Sequence, residues 1–380
     1  MKNALLFLFL IFVIISVQAQ APKEILYVGT FSVRGSEGIY VYAFDRSESA
    51  FRLVQAVSTL ESPSFLTLHP SGKFLYSVNR GPVPGHKNSG SVSAWSIDQT
   101  SGELTLINHK PSYGNGPCHI STDHTGKVVF VSNYTEGNLI VFPLSSDGSL
   151  GACTDSVRFT GKGIHKERQD QAHIHSATPS PDNRFLFVAD LGTDRIYAFE
   201  NNVHTSRLTR AQIPYTEVRP GSGPRHFTFH PDGAYAYLAE ELTSSVASFL
   251  YQKETGRLEL IEDQVVALPS DFTGVNASAD IHTDRYGKYL MMSNRGHESI
   301  SLYAIEKDGK LKFQKNVSTE GEKPRNFLVD KKNEFVFVAN QDTDNIAIFK
   351  WEPENGQLTS TGRHLNVPSP VCLKMLVIDK

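Results

Sequence analysis

The sequence predicts an all-β fold, a seven-bladed β-propeller of four-stranded antiparallel blades. Three observations predict it. Short β-rich runs recur between clusters of Gly, Asn, Asp and Pro along the whole chain, and no stretch past the N-terminus has a helical period. The runs share one register, with equivalent positions at Pro63, Pro117, Ile174, Pro224, Ser278, Pro324 and Pro370, spaced 46 to 57 residues apart. The two ends are complementary: three strand-like runs at the N-terminus lack a first strand, and a single run at the C-terminus lacks the other three. Repeats of this length with four strands each read as propeller blades.

The elements follow in chain order. Lys2, the apolar run Ala4 to Val17 and the small residues of Val17-Gln18-Ala19 form a secretory signal pattern, with cleavage expected after Ala19 and residues 20–380 left as one domain. The alternative is a membrane anchor, but the run falls short of the roughly 20 residues a span requires. An exported protein, periplasmic or secreted and free of the membrane after cleavage, is therefore expected. Ile25–Gly29, Gly38–Phe44 and Phe51–Val54 match strands two, three and four of the repeat. Six nearly complete units follow. Each opens with an inner strand and continues through a run such as Phe74–Val78 or Phe335–Ala339, an alternating run such as Asn345–Phe349, and a short outer run such as Gly256–Ile261. The last run, Val371 to Ile378, is expected to complete the N-terminal sheet, so that the ring has no free edge at its seam. Two β-sandwiches would not explain one register through both halves.

Composition excludes several classes. Among 380 residues, 40 acidic and 37 basic side chains give a net charge of −3, with 39% hydrophobic and 10% aromatic residues. That is an ordinary globular composition and not a disordered one. There is no basic excess of the kind a nucleic-acid partner requires. Cys118, Cys153 and Cys372 are an odd set and read as buried thiols rather than a disulfide framework.

The register also nominates a site. One residue past each zero position, at the start of the innermost strand, the chain reads Ser64, Cys118, His175, Arg225, Ala279, Arg325 and Val371. Seventeen residues past zero, just beyond the second strand, it reads Arg80, Tyr134, Leu191, Glu241, Arg295 and Gln341, with Phe31 as the N-terminal equivalent. His175, Arg225, Glu241 and Arg295 thus come from three adjacent blades at one end of the channel. A carboxylate or neutral imidazole can take a proton from water, and guanidinium groups can hold an oxyanion or a substrate anion. Either Glu241 or His175 can be the base. Arg325, Arg80 and His226 are candidates for substrate binding. Glu241→Gln is expected to cut turnover with little change in melting temperature. Polar residues at blade ends that only tie blades together are the structural alternative.

Two metal readings are weaker. His173 and His175 would share a strand face and form half a zinc site. Sixteen residues past zero, Thr30, Asn79, Asn133, Asp190, Glu240, Asn294 and Asn340 form a ring of oxygen ligands, which more simply shapes a repeated turn. No metal or other cofactor is expected. No Gly-x-Ser-x-Gly elbow or phosphate-binding Gly loop is present.

These residues carry a resemblance. Ala172–Ala177, Val188–Arg195, Gly221-Ser-Gly-Pro-Arg-His226 with His230-Pro231, Glu241-Leu242, Asn294-Arg-Gly-His-Glu-Ser-Ile300 and Pro324-Arg325 with Ala339-Asn340 resemble the seven-bladed propeller lactonase family. That family includes propeller-type 6-phosphogluconolactonases and fungal carboxy-muconate lactonizing enzymes, and the likeness spans essentially the whole mature chain. It implies metal-independent hydrolysis of a sugar-acid lactone, a small-molecule substrate, with His175, Arg225, Glu241 and Arg295 as the active-site set. A muconolactone-type cycloisomerase is a second chemistry open to the same groups, and an exported non-catalytic propeller that binds glycan or protein is the rival class. The export signal fits poorly with a cytosolic phosphorylated lactone and leaves an unphosphorylated one open.

Overall fold

The computed structural model describes residues 23–378. The proposed signal segment, residues 1–19, lies outside the described residues. Twenty-eight β-strands form seven four-stranded antiparallel sheets, with no helix among the described residues. We number the blades from the first complete one: blade 1 spans 63–111, blade 2 117–158, blade 3 174–217, blade 4 224–266, blade 5 277–318 and blade 6 324–366. Blade 7 combines Lys23–Thr30, Gly38–Asp45 and Ala50–Ser58 with the C-terminal strand Pro370–Ile378 as its innermost member. The two ends pair antiparallel from Lys23 opposite Ile378 to Thr30 opposite Pro370, which closes the ring as the sequence predicts.

Blade faces are apolar because each is covered by a neighbour. Phe187 of blade 3 packs with Phe227 and Phe249 of blade 4, and Leu26 and Phe44 of blade 7 pack with Phe337 of blade 6. The inner hairpins are fixed by carboxylates: Asp284 Oδ1 accepts from the amides of Lys288 and Tyr289 at 2.7 and 2.9 Å, and Asp330 Oδ1 does the same for Glu334 and Phe335. Inner strands approach closely at the channel. A side chain at Gly29 would bring its Cβ within 2.6 Å of the Pro63 carbonyl, so only glycine fits the step from blade 7 to blade 1.

One feature was not expected. The register slips next to the start of every inner strand, as between Pro224 and Phe227 or between Ile174 and Ser176, and at the corresponding point of the blade 7 pair. A bulge of this kind re-aims side chains. Consecutive residues then face the channel, and Arg225 and His226 line the same small cavity.

Candidate active site

Inner strands begin where second strands end, so both nominated positions meet at one mouth of the channel. Glu241 follows the second strand of blade 4 directly. Its amide donates to Gly223 O at 2.9 Å, and its carbonyl accepts from Ser278 N of blade 5 at 3.3 Å. The backbone of Glu241 is therefore held from both sides before its side chain does anything.

The side chain is an anchor for cations. Glu241 Oε2 lies 2.8 Å from Arg225 Nε and 2.9 Å from Arg295 Nη2, and Oε1 lies 2.5 Å from Arg168 Nη2. Arg225 Nε sits off the axis of a good hydrogen bond, so that contact is an ion pair. Arg225 Nη1 is buried without a partner. Arg295 is steadied by donating to the carbonyls of Ala277 and Ser278. His175 Nε2 is 3.9 Å from Glu241 Oε2, and its Nδ1 is 4.0 Å from Cys118 Sγ. All four nominated groups thus converge. Arg225 and Glu241 are only 2% and 3% exposed, a burial that charged groups reach only when paired.

Electrostatics separates the two candidate bases. Burial would raise the Glu241 carboxyl, but Arg295, Arg225 and Arg168 outweigh it and hold the group well below the usual carboxylate range. Such a carboxylate is a poor proton acceptor. Burial, then Arg225, His226 and Arg325, push His175 well below the usual histidine range, so its imidazole is neutral at physiological pH. Of the two, His175 has the free lone pair.

The remaining candidates fall into two places. Arg80 and Arg325 flank Phe31, with guanidinium carbons 4.5 and 5.4 Å from its ring centroid, a cation–π stack at the mouth. His226 lies deeper, with Nδ1 2.7 Å from Asp280 Oδ1. A cavity of about 10 Å³, lined by Arg80, Arg225, Arg325, Cys118 and His226 among others, joins the two levels.

Two further residues, not nominated from the sequence, stand beside these groups: Arg168, and Tyr134 at the register position of Glu241. Arg168 comes from the long segment between Arg158 and Ile174, which arches over the mouth. Tyr134 packs against His173 at 4.4 Å between ring centroids, and its hydroxyl lies 3.3 Å from Arg168. The signal was present, because the interval from Pro117 to Ile174 is the longest in the repeat. Gly192 lets that segment sit down, since a Cβ there would lie 1.8 Å from Gln171 O.

Two expectations need correction, and a third reading, the turn-shaping ring, holds. His173 and His175 do not share a strand face: the strand starts at Ile174 and bulges at once, and His173 turns to Tyr134 O and Asp170. Cys118 and Cys153 are only partly buried, and Cys118 lines the channel rather than filling a core. The Asn and Asp side chains of the ring bond within their own blades or to the links that lead into them, in keeping with the turn-shaping reading. Asn79 donates to Ser91 and Ser93, Asn133 to Ser112 O, Asn340 to Thr319 O, and Asp190 accepts from His173 N.

The family model "Lactonase, 7-bladed beta-propeller" matches residues 25–375. The chain belongs to the seven-bladed propeller lactonase family. Two relatives in the family carry the name 6-phosphogluconolactonase. The Bacillus subtilis protein is 37% identical over 356 residues, covering 93% of this chain and 99% of its own. The Formosa agariphila protein is 38% identical over 355 residues, with 92% and 99% coverage. The solved structure of Pseudomonas aeruginosa periplasmic gluconolactonase superposes on this lactonase with a TM-score of 0.87 at 32% identity, covering 94% of this chain and 99% of that one.

The buried groups of this lactonase set its acid stability. His175 and His226 are harder to protonate in the folded protein than in the unfolded chain, so the unfolded state binds more protons once pH drops below about 6.5. Glu240, pushed up to about 7 by burial, works the other way down to about pH 4.3. Below that, Glu241 and Asp280, both held low in the folded state, add to the loss. The melting temperature is expected to decline gently from pH 7 to pH 5 and steeply below about pH 4.3. A melting temperature that rises on acidification to pH 3.5 would contradict these assignments.

Proposed function

We propose that the chain hydrolyses a sugar-acid lactone, of the 6-phosphogluconolactone type, at the His175–Glu241 end of the channel. The observation that carries this reading is a neutral, buried imidazole 3.9 Å from a carboxylate that three arginines hold ionised. In this reading His175 takes a proton from the attacking water, and Glu241 stabilises the imidazolium that forms. The water oxygen bonds to the lactone carbonyl carbon. Arg225, through its unpartnered Nη1, receives the oxyanion together with Arg295. The ring C–O bond then breaks, the ring oxygen leaves as a hydroxyl carrying the proton from His175, and the new acid ionises and releases one proton.

Arg168, Arg225 and Arg295 surround the Glu241 carboxylate, and Arg325 and Arg80 stand close enough to add to the positive charge there. The surplus positive charge suits an anionic substrate. Arg80 and Arg325 on Phe31 are the proposed phosphate site. A second reading, hydrolysis of the unphosphorylated lactone after export, is favoured by the apolar segment at residues 4–17 and the likeness to a periplasmic gluconolactonase.

The test is proton release in chelator with gluconolactone and 6-phosphogluconolactone, for the native protein and for Arg325→Ala. The phosphorylated lactone should be turned over faster by the native protein. Arg325→Ala should raise KM for it by roughly tenfold, the scale of a lost charge-assisted contact, and leave KM for the plain lactone unchanged. Equal handling of both lactones by both proteins would remove the phosphate site.

A further inference from the structure

The channel does not end at the active site. Below Arg225 the bulged inner strands bring a second set of polar side chains to the axis. His226, Asp280, His119, His282 and Lys374 line a cavity of about 180 Å³ on the side away from Glu241. His226 is the hinge between levels, because it also lines the cavity of about 10 Å³ beside Arg225, Arg325 and Cys118.

The hydrogen bonds fix the state of His226. Asp280 Oδ1 is 2.7 Å from His226 Nδ1, and Asp280 Oδ2 is 2.9 Å from His282 Nε2. The Asn326 side-chain amide and the Phe327 backbone amide also donate to Oδ2. An ionised carboxylate only accepts, so Nδ1 of His226 must carry the hydrogen. That leaves Nε2 as a bare acceptor, and Nε2 is buried with no partner. His226 is 6% exposed, and its ring centroid is 5.4 Å from that of His175. A carboxylate that holds one imidazole nitrogen so that the other can accept a proton is the arrangement that activates a general base.

We propose that His226, oriented by Asp280, takes up the proton that lactone hydrolysis releases and passes it through the lower cavity to the opposite mouth of the channel. The inference rests on the lactone-hydrolysis reading. With a lactone seated on the arginines, the upper mouth is covered while the new carboxylic acid ionises. The proton leaves the acid for His226 Nε2, directly or through a water in the small cavity, whose size suits one. The resulting imidazolium pairs with Asp280. It then loses the proton to the larger cavity below, where His282, one-third exposed, and Lys374 stand near the exit. No other reactant is consumed.

The titratable or charged groups besides Asp280 that face His226 are Arg225, His175, His119 and His282, with Arg325 and Cys118 across the small cavity and Lys374 across the larger one. Burial and Arg225 push His226 down to about 4, against the pull of Asp280. A group that weak in basicity passes a proton on rather than keeping it, which suits a relay and not a store.

The experiment compares native protein, Asp280→Asn and His226→Ala on 6-phosphogluconolactone at low buffer concentration. The side-chain amide that Asp280→Asn introduces could donate to Nδ1 and so force the hydrogen onto Nε2, which blocks the acceptor with almost no change of shape. Both variants should lose roughly tenfold in kcat with KM unchanged, less than the 10² or more of a group acting in the transition state itself. The small cavity and the lower cavity would merge in His226→Ala, and added imidazole should restore its rate. Asp280→Asn should show a larger solvent deuterium isotope effect than the native protein. Native kcat in either variant, or a loss that imidazole and isotope leave untouched, overturns the relay. If His226→Ala does not fold, the isotope effect in Asp280→Asn decides alone. A native protein that does not accelerate hydrolysis would instead count against the lactonase reading.

Discussion

Replacing Glu241 with Gln is expected to lower turnover by at least about 10²-fold and to destabilise the protein as well. The activity loss follows from its position. An amide cannot stabilise the imidazolium of His175, and it no longer holds Arg225, Arg295 and Arg168 in one place. The stability loss revises the expectation from sequence, which treated Glu241 as a base that folding could spare. Arg225 is 2% exposed and its ion-pair partner is Glu241, so the substitution strands a buried cation. Breaking a buried pair from one side costs about 3 kcal/mol, or roughly 4 °C in melting temperature for a ring of this size. Thermal melts and lactone turnover on the same preparation check both halves. A variant with native stability and lost activity would restore the simpler picture.

Deleting Pro370–Lys380 should abolish cooperative unfolding altogether. The C-terminal strand contributes the buried side chains of Val371, Cys372, Leu373, Met375, Leu376 and Ile378. At about 2 kcal/mol each, their loss is on the order of 10 kcal/mol, comparable with the whole stability of a domain. It also exposes the edge of Lys23–Thr30, an invitation to aggregate. Calorimetry on the truncated protein is the check, and an unchanged transition would mean that the ring does not depend on its seam.

Why the sequence revealed some features and not others has a physical basis. Strand ends repeat, so a register anchored at Pro63 finds the start of each inner strand to within a residue and brings His175, Arg225, Glu241 and Arg295 to one mouth. Chemistry carried by an insertion does not repeat. Arg168 sits on a segment with no counterpart in other blades, and only the long interval before Ile174 hinted at it. Bulges were the second blind spot. Strict alternation puts His173 and His175 on one face and Arg225 and His226 on opposite ones, and the slip at each inner-strand start reverses both expectations. Asp280 and His282 were missed for the same reason, since their place on the channel depends on that slip. The sequence did reveal which residue types meet. Which carboxylate is paired, and hence which base is free, needed the distances.

The lactonase account stands or falls on His175 as the neutral base. The most direct test is initial proton release from 6-phosphogluconolactone, in chelator, by native protein and His175→Gln side by side. The account predicts clear acceleration over the spontaneous rate by the native protein, a loss of about 10² or more in the variant, and a native rate that does not fall as pH is lowered through about 6.5, because His175 stays neutral there. A variant as fast as the native protein, or a native rate that halves near that pH, would contradict it.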